Sequence, residues 1–158
     1  MGPYAGWLRA AIIALKYEDE PARAAHLGGL LAPVLEPFGR DVVIGAVPLH
    51  ARRERERGYN QSLLVARKAA RALALPVLPL LRRTRATTRQ VGLDAAGRRA
   101  NVVGAFEADA RVIARGGVAH VVLVDDVMTT GATLEVCAAA LLASGVGRVD
   151  VVVLARDL

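Results

Sequence analysis

Cysteine is nearly absent from this sequence. Cys137 is the only one in 158 residues, so the chain can build neither an internal disulfide framework nor a four-cysteine metal site, and a reducing cytoplasm is its expected home. The plain role for Cys137 is a small, buried helix residue. Aromatics are scarce, at 4%. That leaves a thin inventory for stacking bases and argues against a protein that does nothing but bind nucleic acid. Long hydrophobic runs are missing too. The most apolar early stretch, residues 10–15, is far shorter than the roughly 20 residues of a membrane span, and Lys16 and Glu18 follow it at once. Nothing reads as a signal peptide or anchor, so no membrane insertion is expected. No internal repeat, linker or low-complexity segment interrupts the chain.

What is present is enough for one domain over residues 1–158, because 54% hydrophobic residues can bury a core that needs no staples. The net charge of +6 comes almost wholly from arginine, since Lys16 and Lys68 are the only lysines. Guanidinium forks suit phosphate, so anionic partners are favoured. A genome-wide preference for Arg, Ala, Leu and Val would give the same composition.

The periodicities predict an α/β protein. A helical lead-in covers residues 1–40, with one helix over 5–16. A second lies between Pro21 and Pro37, where Leu27, Leu30, Leu31 and Val34 fall on one face. Residues 42–47 read as a buried strand halted by Pro48. Asn60 is placed to cap a helix reaching about residue 74, with Leu63, Ala66, Ala70 and Leu73 inward. Strands are expected over 75–81 and 102–106. Between them, residues 82–99 are polar, arginine-rich and aperiodic, which predicts a long flexible loop of the kind that serves as a lid. Strand 120–124, helix 132–143 and strand 148–154 then form the strand-helix-strand pattern of a parallel sheet covered on both faces.

The chemistry concentrates at residues 121–133, where an apolar run delivers Asp125 and Asp126 and is followed by Thr129, Thr130, Gly131, Ala132 and Thr133 at a helix start. A turn of small residues there presents backbone N–H groups and the positive end of the helix dipole, which suits a phosphate. The threonines add hydroxyls, and Gly131 permits close approach. Paired carboxylates can accept hydrogen bonds from two vicinal ribose hydroxyls and can hold magnesium directly or through water. A Walker loop is excluded, because its pattern is absent and no lysine lies nearby in the sequence.

This segment resembles the phosphoribosyl-diphosphate motif of type I phosphoribosyltransferases. Val47-Pro48-Leu49-His50, Arg52-Arg53, Arg57-Gly58-Tyr59-Asn60-Gln61, then Arg85, Thr87, Gln90, Leu93, Arg98, Asn101, Gly104-Ala105-Phe106 and Leu154-Ala155-Arg156 are similar to the ComF family of competence proteins. The resemblance spans nearly the whole chain from Trp7. It implies a single-domain type I phosphoribosyltransferase fold with 5-phosphoribosyl-1-diphosphate and Mg2+ as ligands. Asp125 and Asp126 would be the catalytic acids, contacting ribose and metal, and Thr129 to Thr133 would take the 5′-phosphate. Pro48, Leu49 and His50 would meet the diphosphate, and the loop 82–99, carrying Arg85, Arg89 and Arg98, would be a mobile hood. Members of that family usually begin with a four-cysteine zinc segment. This sequence starts after it, so either the lineage lost that module or the sequence is part of a longer chain.

The run Arg52-Arg53-Glu54-Arg55-Glu56-Arg57 reads equally as a solvated face with local ion pairs or, with Arg82, Arg83 and Arg85, as a phosphate-tracking groove for single-stranded DNA. Tyr59 and Trp7 are the nearest candidates for base stacking. His50 has a ligand role or a plain turn role, and His26 a structural one. Glu107 and Asp109 carry no chemical pattern.

The resemblance implies a cytoplasmic protein of natural transformation that handles incoming single-stranded DNA. It also implies a DNA-translocating helicase and recombinase-loading factors as partners. The rival expectation is a metabolic transferase joining the phosphoribosyl group to a base or amine. Purine salvage is disfavoured, because purine-salvage relatives carry an acid where Thr129 stands here. A third is a ligand sensor that retains the site without turnover. Substrate acceptor and oligomeric state are not readable.

Overall fold

The computed structural model describes residues 2–18, 20–85 and 102–157. Its main sheet has four parallel strands: β1 (Gly2–Pro3), β2 (Val43–Ala46), β5 (His120–Met128) and β6 (Arg148–Arg156), in the order β1-β6-β5-β2. Two short strands, β3 (Leu81–Arg83) and β4 (Phe106–Ala108), form a separate antiparallel pair. The helices are α1 (Gly6–Tyr17), α2 (Arg23–Leu35), α3 (Ala51–Arg57), α4 (Gln61–Ala72), α5 (Ala110–Gly116) and α6 (Ala132–Ala143), with a 3-10 turn at Glu36–Phe38.

Side chains alternate across β5, and this divides the core in two. Val122 and Val124 join Val152 and Leu154 of β6 beneath α1, α2 and α4. Val121 and Leu123 join Val153 beneath α6, α5 and the β3–β4 pair. A sheet covered on both faces explains why these strands are continuous apolar runs. On α2 the buried stripe is Leu27, Leu31 and Leu35, each with no exposed surface, worth roughly 1.5–3 kcal/mol apiece. Leu30, expected on that stripe, is 47% exposed, because the stripe is rotated towards Ala24 and Gly28. There α2 presses on α4 so closely that a Cβ on Gly28 would sit 2.5 Å from the Lys68 Cβ.

Helix α4 begins where expected. The Asn60 side-chain oxygen accepts from the Leu63 amide at 3.2 Å, and its amide nitrogen donates to the Val47 carbonyl at 3.0 Å. Its buried face is Val65, Ala66, Ala69 and Ala70, while Leu63 and Leu73 are half-buried.

Several expectations fail locally. The strand expected over 75–81 does not form: residues 75–80 lie outside any strand, with Val77 making one parallel bridge to Ile44, and Leu81 opens β3 instead; Pro76 and Pro79 lack the N–H groups a longer ladder needs. The strand expected at 102–106 starts only at Phe106, after a turn in which Gly104 has φ +66°. Arg82 and Arg83, expected in a loop, lie in β3. The rest of that loop, from residue 86, is outside the described residues. Among the described residues, no helix is long and apolar enough to cross a membrane.

Candidate phosphate and ribose site

The chain leaves β2, by way of α3, for α4 on one face of the sheet and leaves β5 for α6 on the other. Adjacent parallel strands whose connections diverge in this way open a crevice at their carboxyl ends, where α/β proteins bind ligands. Here it is a cleft of about 1120 Å³ lined by Val47, Pro48 and Leu49 after β2 and by residues 125–134 from β5 into α6.

Both acids stand within β5, not beyond its end, because the strand continues to Met128. Asp126 continues the row of Val122 and Val124 and is 4% exposed. Its Oδ1 receives the Lys16 Nζ at 2.8 Å. Its Oδ2 is buried and meets no hydrogen-bond donor among the described residues. Asp125 accepts from the Ser62 hydroxyl at 2.8 Å and from the Asp126 amide at 2.9 Å, both on Oδ1. Burial first, and the neighbouring Asp126 charge second, push its carboxyl up to about 7, against the relief those donors give. Burial also works against the Lys16 ammonium, but the pull of Asp126 and then Asp125 outweighs it and holds Lys16 above its ordinary range.

After Met128 the chain turns through Thr129 and Thr130 to Gly131, whose φ of +81° places it in the left-handed region at the N-cap of α6. Only glycine takes that conformation without strain. The first turn of α6, whose Ala132 amide reaches the Thr130 hydroxyl oxygen at 3.5 Å, therefore borders the cleft beside the acids, together with Thr129, Thr130 and Thr133.

Basic groups line the same cleft. Arg53, Arg55, Arg57 and Tyr59 border it, with Glu56 among them, joined by Arg83 and by Tyr4 and Tyr17, so all three tyrosines of the chain border one cleft. The Arg57 guanidinium lies 5.4 Å from the Tyr17 ring centre. Arg83 sits 5.1 Å from that of Phe106. Burial, then repulsion by Arg53, lowers its affinity for a proton.

The structure thus brings together Asp125, Asp126, Thr129 to Thr133, Pro48, Leu49, Arg53, Arg55, Arg57 and Tyr59. It places others elsewhere. His50 caps α3, its Nδ1 accepting from the Arg52 amide at 3.3 Å. Arg52 is exposed and paired with Glu56 at 2.8 Å, and Arg85 donates to the Val103 carbonyl at 2.8 Å; none of these three lines the cleft. Trp7 borders a separate apolar groove. Arg89 and Arg98 lie outside the described residues. Cys137 is buried, and burial raises its thiol, which suits the structural role. Sequence reasoning missed Lys16 and Ser62. Their partners are 110 and 63 residues away, and no local pattern carries such a pairing.

Comparison with known proteins agrees with this architecture. No family model matches the chain. It is 40% identical over 116 residues to the "DNA utilization protein YhgH" of Escherichia coli K12, covering 73% of this chain and 49% of that protein. It is 38% identical over 113 residues to the "Competence protein F" of Haemophilus influenzae, covering 70% and 48%. The chain spans about half the length of the curated relatives it matches. Among solved structures it is similar to an allosteric regulatory enzyme of purine biosynthesis (TM-score 0.56, 24% identity, 83% of this chain and 25% of that one). It is also similar to the glutamine phosphoribosylpyrophosphate amidotransferase of B. subtilis (TM-score 0.55, 24% identity, 83% and 26%). At that identity the likeness shows the fold, which is the type I phosphoribosyltransferase fold.

Proposed function

We propose that this chain, a homologue of competence protein F built on the type I phosphoribosyltransferase fold, binds 5-phosphoribosyl-1-diphosphate with magnesium in the cleft between β2 and β5 and serves DNA utilization in natural transformation. One observation carries the ligand: the strand that holds Asp125 and Asp126 runs directly into the Gly131 turn and the backbone amides at the start of α6, all on the wall of one cleft. Those amides and the threonine hydroxyls take the 5′-phosphate. The acids accept from the ribose hydroxyls, and the enclosed Asp126 Oδ2, which meets no donor among the described residues, is acceptor capacity that the ligand-free cleft leaves unused. Pro48, Leu49 and Arg53, which line the same cleft, take the diphosphate end.

Magnesium fits this donor set. Among the described residues no group of three or more His, Cys, Asp or Glu could hold a metal, so an all-protein cage is absent there. Magnesium is commonly held by one or two carboxylates plus substrate phosphates and water, and Asp125 and Asp126 are the carboxylates that would hold it here. The ion would neutralise charge on a departing diphosphate. The chain's own part is to fix the ribose through the acidic pair, anchor the 5′-phosphate, and line the diphosphate end with guanidinium groups.

The DNA role rests on the names of the relatives and on the basic wall of Arg53, Arg55 and Arg57 beside Tyr59 and Tyr17, which offers cationic and aromatic groups together. Calorimetric titration with phosphoribosyl diphosphate, with and without magnesium, tests the ligand. Saturable binding that magnesium tightens is expected. No binding at millimolar ligand with magnesium present would overturn the reading.

A further inference from the structure

Lys16 is the only lysine in the cleft; the other, Lys68, is exposed on α4. It lies in the last turn of α1 and reaches the central strand from 110 residues away. The pairing is enclosed, with 17% of the Lys16 side chain and 5% of the Asp126 side chain exposed. The end of α1 is also tied down, because the Tyr59 hydroxyl donates to the Leu15 carbonyl at 2.6 Å. A long, flexible side chain is thus delivered to one oxygen of a buried carboxylate whose other oxygen has no donor among the described residues.

We propose that Lys16 is the resident cation of the acidic pair and positions it for ligand: it neutralises Asp126 in the ligand-free cleft and keeps divalent ions from settling on the pair until a diphosphate supplies further anionic oxygens. This rests on the phosphoribosyl diphosphate reading of the site. Without Lys16 the pair would present the Asp126 carboxylate with no cation beside it and with an unused oxygen, an attractive place for a hard cation. With Lys16 in place, a divalent ion at Asp126 must displace the ammonium or sit against it, and both are costly where water is excluded. Magnesium therefore arrives with the diphosphate, and the acids remain free to accept from the ribose.

The test is calorimetry with magnesium alone on the wild type, Lys16→Met and Lys16→Arg, at constant ionic strength. Lys16→Met is expected to bind magnesium at least about tenfold more tightly than the wild type, and Lys16→Arg to match the wild type. The magnesium concentration that half-saturates phosphoribosyl diphosphate binding should fall in Lys16→Met by a similar factor. Equal or weaker magnesium binding by Lys16→Met overturns the proposal. Removing the partner of a buried charge can unfold a protein, so thermal melts of Lys16→Met are run with and without magnesium. Recovery of a cooperative transition by millimolar magnesium supports the proposal, and an unfolded variant that magnesium does not rescue refutes it. A wild type that fails to bind phosphoribosyl diphosphate defeats the ligand reading instead, and the magnesium-only contrast still decides the role of Lys16.

Discussion

Replacing Asp125 by asparagine should strengthen the ligand-free fold while damaging the site. The carboxyl is pushed up to about 7 from an ordinary 3.8, so the fold prefers its protonated form. For an acid raised in this way the sign is unfavourable: the native state is at its best below the unfolded value near 4 and loses stability as pH climbs to about 7, beyond which the loss is constant. The interval corresponds to about 4 kcal/mol at full effect. Asp125 is partly open to the cleft and coupled to Asp126, so about 1–2 kcal/mol is the expected net cost at pH 8. Asparagine keeps an oxygen for the Ser62 hydroxyl and the Asp126 amide and removes the charge. The variant should melt a few degrees above the wild type at pH 8, at about 2–4 °C per kcal/mol, and the gap should shrink towards pH 5. Differential scanning calorimetry over pH 5–8 without ligand measures it. A variant less stable than the wild type at pH 8, or a gap independent of pH, would show that Asp125 does not carry the burden assigned to it.

Asp125→Asn with Asp126→Asn should lower phosphoribosyl diphosphate affinity by about two orders of magnitude and leave single-stranded DNA binding intact or slightly stronger, since negative charge is removed. Arg52→Ala, Arg53→Ala and Arg55→Ala together should weaken DNA binding and flatten its salt dependence by about 0.7 in logarithmic slope for each phosphate no longer neutralised. Only Arg53 and Arg55 of the three face the cleft, so most of the effect should come from them. Fluorescence anisotropy over a salt series reads both, and loss of DNA binding in the aspartate pair but not the arginine triplet would place the nucleic acid in the phosphoribosyl site itself. Gly28→Ala should destabilise by about 1–3 kcal/mol, because its Cβ would meet the Lys68 Cβ at 2.5 Å and the Ala69 amide at 3.0 Å. An unchanged melting temperature would mean the two helices can part without cost.

The segment 120–156 is the most legible part of the chain, and the reason is physical. A strand buried on both faces is a run of β-branched residues, and α6 is apolar but for Thr133 and Glu135, so both announce themselves locally. The end of β5 is harder to read because acids inside a strand break that signal, yet the ladder carries on past them, with Asp125 opposite Val153 and Val127 opposite Ala155. Helix α3 reads from sequence only as a charge run. Its seven residues bury nothing, and it is held by the His50 cap and the Arg52–Glu56 pair instead of an apolar stripe. Helix α5 escapes the periodicity, although Asp109 accepting from the Arg111 and Val112 amides, with Gly116 and Gly117 at the far end, is a readable cap-and-stop pair. At the site, the phosphate turn and both acids are visible because they are consecutive. Lys16, Ser62 and Tyr17 are not, since they reach the cleft only through the packing of α1 and α4 on the sheet.

Asn60 joins two scales of organisation in one side chain. As a helix cap, serine, threonine or aspartate could stand in its place. Its amide nitrogen, however, also holds the carbonyl of Val47, just beyond β2, and none of those replacements offers a donor and an acceptor on the same planar group. A substitution that is conservative for the helix would therefore unhook α4 from the mouth of the cleft, where Ser62, two residues further on, supports Asp125. This position is constrained by the wiring between elements more than by the element it begins.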